Sequence, residues 1–136
     1  RKKPVTICLG MAKGIAMLGW IDYVGITRCR AVPPDPMAAR REHGLGWAVA
    51  GQALTPFSEI AINPWGPIAE VRQVPDPSTH VHLPAYDGAA PFDLTLCDSL
   101  NSDRSSWECC TRGFVRKALA DTLSQAGLSG VLRQLP

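Results

Sequence analysis

The sequence lacks any apolar run of the roughly eighteen residues that a membrane-spanning helix requires, so a soluble chain is expected, with no membrane partner. It has no C-x-x-C pair. Its five cysteines, Cys8, Cys29, Cys97, Cys109 and Cys110, form an odd set whose only close pair is directly adjacent, which suits neither zinc nor an easy disulfide. Reduced thiols in a cytoplasmic protein are therefore expected. Net charge is small: 14 basic residues against 12 acidic ones leave +2, too little and too scattered to imply nucleic acid or an anionic membrane as partner. The one basic cluster, Arg1, Lys2 and Lys3, sits at a terminus, where solvation accounts for it. Basic then apolar residues at the start resemble a signal peptide faintly, but Lys13 breaks the run and no clean small-residue cleavage site follows. Also missing are a G-x-x-x-x-G-K-[ST] phosphate loop, a G-x-S-x-G elbow, an H-E-x-x-H helix and any outstanding pair of carboxylates. Nothing in the local motifs announces catalysis.

What is present describes one folded domain with many corners. Twelve prolines and twelve glycines punctuate a chain of 136 residues that is 46% apolar, so helix should be the minority state. A chain of this length buries about two thirds of the surface its unfolded form exposes. "WIDY" and "ITRCRAV" read as antiparallel strands joined at Val24-Gly25, because glycine tolerates positive φ. Asp35, Pro36 and Gly44 bracket a short helix as cap, first residue and stop. Residues 46–67 show no sustained period and read as an ordered, irregular excursion.

A strand follows over residues 68–74, with Ile68, Glu70 and Arg72 on one side and Ala69, Val71 and Gln73 on the other. "HVHLPAY" reads as a short strand, and "PFDLTLCDSL" as the clearest one, with Phe92, Leu94, Leu96 and Asp98 on one face. A polar loop and a short strand around Trp107 then precede a long helix. Thr111 is placed to cap it, and Phe114, Val115, Ala118, Leu119, Leu123 and Ala126 recur at helical spacing, with Gly127 and Gly130 as its end. If that face is buried, Leu119→Ala costs about 2 to 5 kcal/mol. Strands followed by a helix laid across them define an α+β class.

Between those strands lies "VRQVPDPST". Pro75 and Pro77 fix φ, while Asp76, Ser78 and Thr79 can hydrogen-bond nearby amides, so this stretch is built to end one strand and aim the next. Other candidates carry two readings each. His80 and His82 alternate on one strand face and lack the further ligands of a stable metal site, so no metal is assigned and an exposed face is the plainer reading. Cys109-Cys110 is a reactive pair or two inert buried thiols. Asp22 and Asp98 are acid–base groups or strand-end hydrogen-bond acceptors.

The order of these segments resembles one family. "WIDYVGITRCRAVP", "EVRQVPDPSTHVHLPAYDGAAPFDLTLCDSL" and "CTRGFVRKALADTL" look like the N-terminal domain of glutamine synthetases, over residues 19–125, most of the chain. The signature positions are Pro75, Asp76, Pro77, Ser78, Thr79, Cys97, Asp98 and Arg112, structural residues in this reading. The chain is closer to the divergent synthetase-like branch, which ligates glutamate to amines other than ammonia. The resemblance implies a β-grasp fold, a small mixed sheet with one main helix packed across it. It divides the chain into an extension (residues 1–18), the domain (19–127) and the start of a linker (128–136) to an absent C-terminal catalytic domain.

The same resemblance implies a homo-oligomeric ring, in which this domain closes a neighbouring subunit's active site and ATP with magnesium or manganese binds in the catalytic domain. It implies no cofactor and no catalytic residue in this fragment. The family's closing loop carries "F-D-G-S-S", whose aspartate helps bind and deprotonate ammonium. Here the corresponding residues are Gly46, Trp47, Ala48, Val49, Ala50 and Gly51, with Trp47 at the phenylalanine and Ala48 at the aspartate. Alanine neither accepts a proton nor holds a cation, which points to a bulkier amine or to no activity. Two function classes stand: the substrate-closing, oligomerising domain of a glutamate–amine ligase, and a non-catalytic β-grasp binding or structural module.

Overall fold

The computed structural model describes residues 14–34, 40 and 42–126. Alternating apolar side chains begin the first strand earlier than "WIDY": β1 (Ile15–Ile21) buries Ala16, Leu18 and Trp20. It turns back into antiparallel β2 (Thr27–Val32), with Gly19 opposite Cys29. The turn is longer than a two-residue connection. The Asp22 and Gly25 amides donate to the Ile26 and Asp22 carbonyls, each at 3.1 Å, and Gly25 closes the turn at φ 83°. The buried Asp22 carboxylate accepts from the Val24 and Ile26 amides and from Arg28 Nε. Asp22 is thus the acceptor that ties this hairpin.

Arg40, Glu42 and His43 are helical, and Gly44 ends the turn: its amide donates to the Arg40 carbonyl at 2.8 Å and its φ is 66°. The rest of the helix expected after Asp35, residues 35–39 and 41, lies outside the described residues. β3 (Leu45–Ala48) follows, then a 3-10 turn (Val49–Ala53). β4 (Glu70–Pro75) buries Val71 and Gln73 and exposes Glu70 and Arg72, the alternation expected for it. A second 3-10 turn (Pro77–Thr79) leads to β5 (Val81–Leu83).

β6 (Phe92–Leu100) is central, parallel to β1 and antiparallel to β4. The sheet order is β2-β1-β6-β4-β3, with β5 paired to the start of β6. Its alternation is as read, but the buried face carries Thr95, Cys97 and Ser99, whereas Phe92, Leu94, Leu96 and Asp98 are half-buried. Two buried polar atoms meet across the strands, where Ser99 Oγ donates to Gln73 Oε1 at 3.1 Å, while the buried Gln73 Nε2 has no protein partner among the described residues. Ala16, Leu18, Val32 and Cys97 form one apolar cluster, with Leu45 against it, and Val49, Val71, Trp107 and Cys110 form another, with Trp47 and Trp65 against that one.

The main helix, α1 (Thr111–Ala126), corrects three expectations. Its cap is Cys110, whose Sγ accepts from the Gly113 amide at 3.4 Å and the Ser99 amide at 3.3 Å, while the Thr111 hydroxyl donates to the Ile21 carbonyl at 3.0 Å. The strand expected around Trp107 is a single bridge between Leu100 and Ser106 followed by a turn. The apolar stripe is largely uncovered among the described residues: Phe114 is 70% exposed, Val115 53% and Leu123 36%, with Leu119 only partly buried. The cost expected for Leu119→Ala therefore shrinks, because no described element lies over that face. Its proposed end at Gly127 and Gly130 is outside the described residues. The whole is an α+β, β-grasp-like fold, a curled mixed sheet of six strands with one main helix. Among the described residues no helix is long and apolar enough to cross a membrane.

Candidate functional site

The corner between β4 and β5 is built by side chains standing in for backbone. Pro75 lies opposite Cys97 and Val81 opposite Leu94, so residues 76–80 of one edge face only Thr95 and Leu96 of β6. The Asp76 amide donates to the Leu96 carbonyl at 2.8 Å. Thr79 Oγ1 then accepts from the Leu96 amide at 2.9 Å and donates to the Asp76 carbonyl at 2.8 Å. A hydroxyl thereby replaces a ladder carbonyl, and the excess residues are absorbed without stranding the central strand's amide.

The same corner aims one carboxylate at the helix. Asp76 Oδ1 accepts from the Ser78 amide (3.0 Å) and hydroxyl (2.7 Å), and its Oδ2 from Arg112 (2.9 Å) and Arg116 (3.0 Å). Asp98, on β6, receives the other Nη of each arginine, at 2.9 and 2.8 Å. Two guanidiniums thus bridge two carboxylates in a closed ring of charge-assisted bonds. The Ser78 hydrogen bond, and after it Arg112, hold the Asp76 carboxyl down at about 2, and Asp98 raises Arg116. Every charge in the ring is matched, so it is a clamp that fixes the start of α1 to the sheet. The structure brings Asp76, Ser78, Asp98 and Arg112 together here. Arg116 was missed, although it stands four residues, one helical turn, after Arg112. Pro75, Pro77 and Thr79 shape the corner, and Cys97 faces the core, where burial pushes its thiol up to about 12.

The remaining candidates resolve into packing and surface. His80 Nε2 and His82 Nδ1 both lie against Asp93 Oδ1, at 3.1 and 2.8 Å, on a fully exposed β5. Among the described residues no group of three His, Cys, Asp or Glu is arranged to hold a metal ion. Cys29, Cys97, Cys109 and Cys110 are free thiols, and Cys110 is spent on the helix cap. The Tyr23 hydroxyl donates to the Cys109 carbonyl at 2.9 Å, and burial raises its phenol.

At the far edge of the sheet, Trp47 packs against Trp20 with ring centroids 4.4 Å apart and planes tilted by 56°, and Arg30 lies 5.7 Å from the Trp47 ring centre. Gly51 passes beneath that indole, where a Cβ would stand 2.7 Å from Cζ2. Val49 and Ala50 are buried. Gly46 faces the Glu70 carboxylate, which would lie 2.8 Å from a Cβ there and pairs with Arg72 at 3.2 Å. Of these six residues only Ala48 is exposed, at the end of β3 and opposite Glu70 in register.

Fold and clamp together define a β-grasp-like α+β domain. Within that class the chain belongs to the family described as glutamine synthetase N-terminal domain, which it matches over residues 12–107. A solved glutamine synthase homologue is similar at TM-score 0.76 and 25% identity, over 92% of this chain and 28% of its own. GmaS without ligand is similar at TM-score 0.58 and 19% identity, over 82% of this chain and 24% of its own. GmaS in complex with ADP is similar at TM-score 0.57 and 20% identity, over 83% of this chain and 24% of its own. At the identities of the two GmaS structures the likeness is one of fold. The chain spans only 24% to 28% of the length of these relatives. No curated protein matches it.

Proposed function

We propose that this chain is the N-terminal domain of a glutamine synthetase-like ligase, which joins glutamate to ammonia or another amine using ATP. By itself it catalyses nothing. The observation that carries this reading is the family match over residues 12–107 in a chain spanning 28% of a homologue's length. The rest of the parent then holds the chemistry. ATP and magnesium or manganese belong there too in this reading; the ADP complex of GmaS supports nucleotide use in such a parent.

In this reading the parent is a cytoplasmic homo-oligomer, and residues 46–54 face a neighbouring subunit's active site. The exposed stripe of α1 faces the parent's own C-terminal domain, which explains why Phe114 and Val115 lie uncovered. Ala48 presents a methyl group where the family has an aspartate. Its cross-strand partner Glu70 has a carboxylate, but Arg72 engages it at 3.2 Å. A small cation is therefore poorly held, and a bulkier, less strongly hydrated amine is the better acceptor.

The test is to read the coding sequence on both sides of this chain, express the whole product, and follow ADP formation with glutamate and a panel from ammonia to aromatic amines. Glutamate-dependent turnover with a larger amine supports the reading. A product without turnover on any amine sinks it and leaves a non-catalytic β-grasp module.

A further inference from the structure

At the opposite end of β3 from Ala48 lies a cavity of about 360 Å³ that takes no part in the clamp. Its floor is apolar, made by Val74 of β4 and Leu100 of β6. Its walls are basic and polar: Arg72, which stands directly opposite Leu100, then Arg104, His43, and the amide and hydroxyl of Asn101 and Ser102. One carboxylate, that of Glu42, also reaches the lining, but its side chain is 71% exposed and lies 3.9 Å from His43. The lining thus carries two guanidiniums and an imidazole; Glu42 is its one acid and is solvated, while Arg72 is paired outside the lining with Glu70 at 3.2 Å, which leaves Arg104 as the guanidinium with no carboxylate partner among the described residues.

Arg104 is held in place at some conformational cost. Its φ is 70°, in the left-handed region that non-glycine residues avoid. The turn around it is tightly tied: the Arg104 amide donates to the Asn101 carbonyl, and the Asn101 amide to the Ser105 carbonyl, both at 2.9 Å. Asp103 Oδ1 braces the turn by accepting from the Ser105 amide at 2.9 Å and its hydroxyl at 2.6 Å. The Arg104 guanidinium donates through Nη1 to the Glu42 carbonyl, so it bridges the turn to the segment before β3. That bond uses one of five donors, and among the described residues no carboxylate pairs with this side chain. A guanidinium on a tightly tied turn, with no carboxylate partner among the described residues and above an apolar floor, suits one chemistry. From this geometry we propose that the cavity binds a small organic oxyanion, a carboxylate or phosphate group on a short apolar body. The Arg104 guanidinium grips the head, Arg72 adds the donors that its pair with Glu70 leaves over, and Val74 and Leu100 take the body.

This proposal stands independently of the ligase reading. The experiment is a titration of the isotopically labelled protein, followed by amide NMR, with inorganic phosphate, phenyl phosphate and benzoate as separate probes. Saturable shifts centred on His43, Ser102 and Arg104 are expected. Phenyl phosphate or benzoate should bind at least about fivefold tighter than inorganic phosphate, because the ring is buried, and whichever is tighter identifies the head group. Arg104→Gln should weaken binding about tenfold or more, the usual worth of a hydrogen bond to a charged group, and Arg72→Gln, whose guanidinium is shared with Glu70, about threefold or more. Lys117→Gln, the same charge change on α1, should leave it unchanged. Shifts that fail to saturate by about 20 mM, that spread over basic residues generally, or that survive both arginine variants overturn the proposal. If a variant fails to fold, the shift map of the unaltered protein decides alone.

Discussion

Replacing Thr79 by valine removes one oxygen and keeps the shape of the side chain, so it isolates the hydroxyl that bridges the corner to β6. Two bonds are lost, from the Leu96 amide at 2.9 Å and to the Asp76 carbonyl at 2.8 Å. Each is worth about 0.5 to 1.5 kcal/mol net, and the half-buried Leu96 amide is left without its partner, so the total is about 1.5 to 3 kcal/mol. For a domain of this size that is a fall in Tm on the order of 5 to 10 °C. In urea the midpoint should drop by about 1 M at unchanged slope. Thr79→Ser keeps the oxygen and loses only a methyl group, and should cost less than about 1 kcal/mol. A valine variant within about 0.5 kcal/mol of the unaltered protein would refute the claim that a hydroxyl substitutes for a ladder carbonyl here.

The clamp yields two further expectations. Arg112 is 17% exposed and Arg116 51%, so Arg112→Gln should cost about 1 to 3 kcal/mol and Arg116→Gln less than about 1, measured by urea denaturation. Equal losses would mean that the two arginines are interchangeable and that burial does not set their worth. The Asp76 carboxyl lies at about 2 when folded against 3.8 as its ordinary value. Because the folded value is the lower one, its contribution is complete above about pH 4 and disappears as pH falls towards 2. Solvent screening keeps it near about 1 kcal/mol. Comparing urea midpoints at pH 5 and pH 2.5, Asp76→Asn should lose less stability on acidification than the unaltered protein; an equal loss would contradict the clamp's role.

The corner was legible because its chemistry is local. Two prolines set φ, and an aspartate and a serine two residues apart bond to each other in any context that permits the turn. The alternation of β4 was legible for the same reason, since a period of two needs only neighbours. The clamp was half legible: Asp76, Asp98 and Arg112 were singled out by resemblance, but their meeting spans 36 and 14 residues of chain and has no local signal. Arg116 has no local signal either, since a charge one helical turn after Arg112 is common on any exposed helix face. The cap failed because threonine is the commoner capping residue, while only the fold brings the Ile21 carbonyl to Thr111 and leaves the Cys110 sulfur for the helix.

By itself the sequence determined the turns, the alternation and the family likeness, all of which rest on φ preferences, hydrogen bonds between near neighbours and the order of short segments. Tertiary structure alone decided which side of β6 is buried. Both sides can be satisfied: the leucine side receives the arginines through Asp98, and Thr95, Cys97 and Ser99 fit a closely packed interior where Gln73 meets the serine. It also decided that the apolar stripe of α1 lies open, because a helical period shows that a face is apolar and not what covers it.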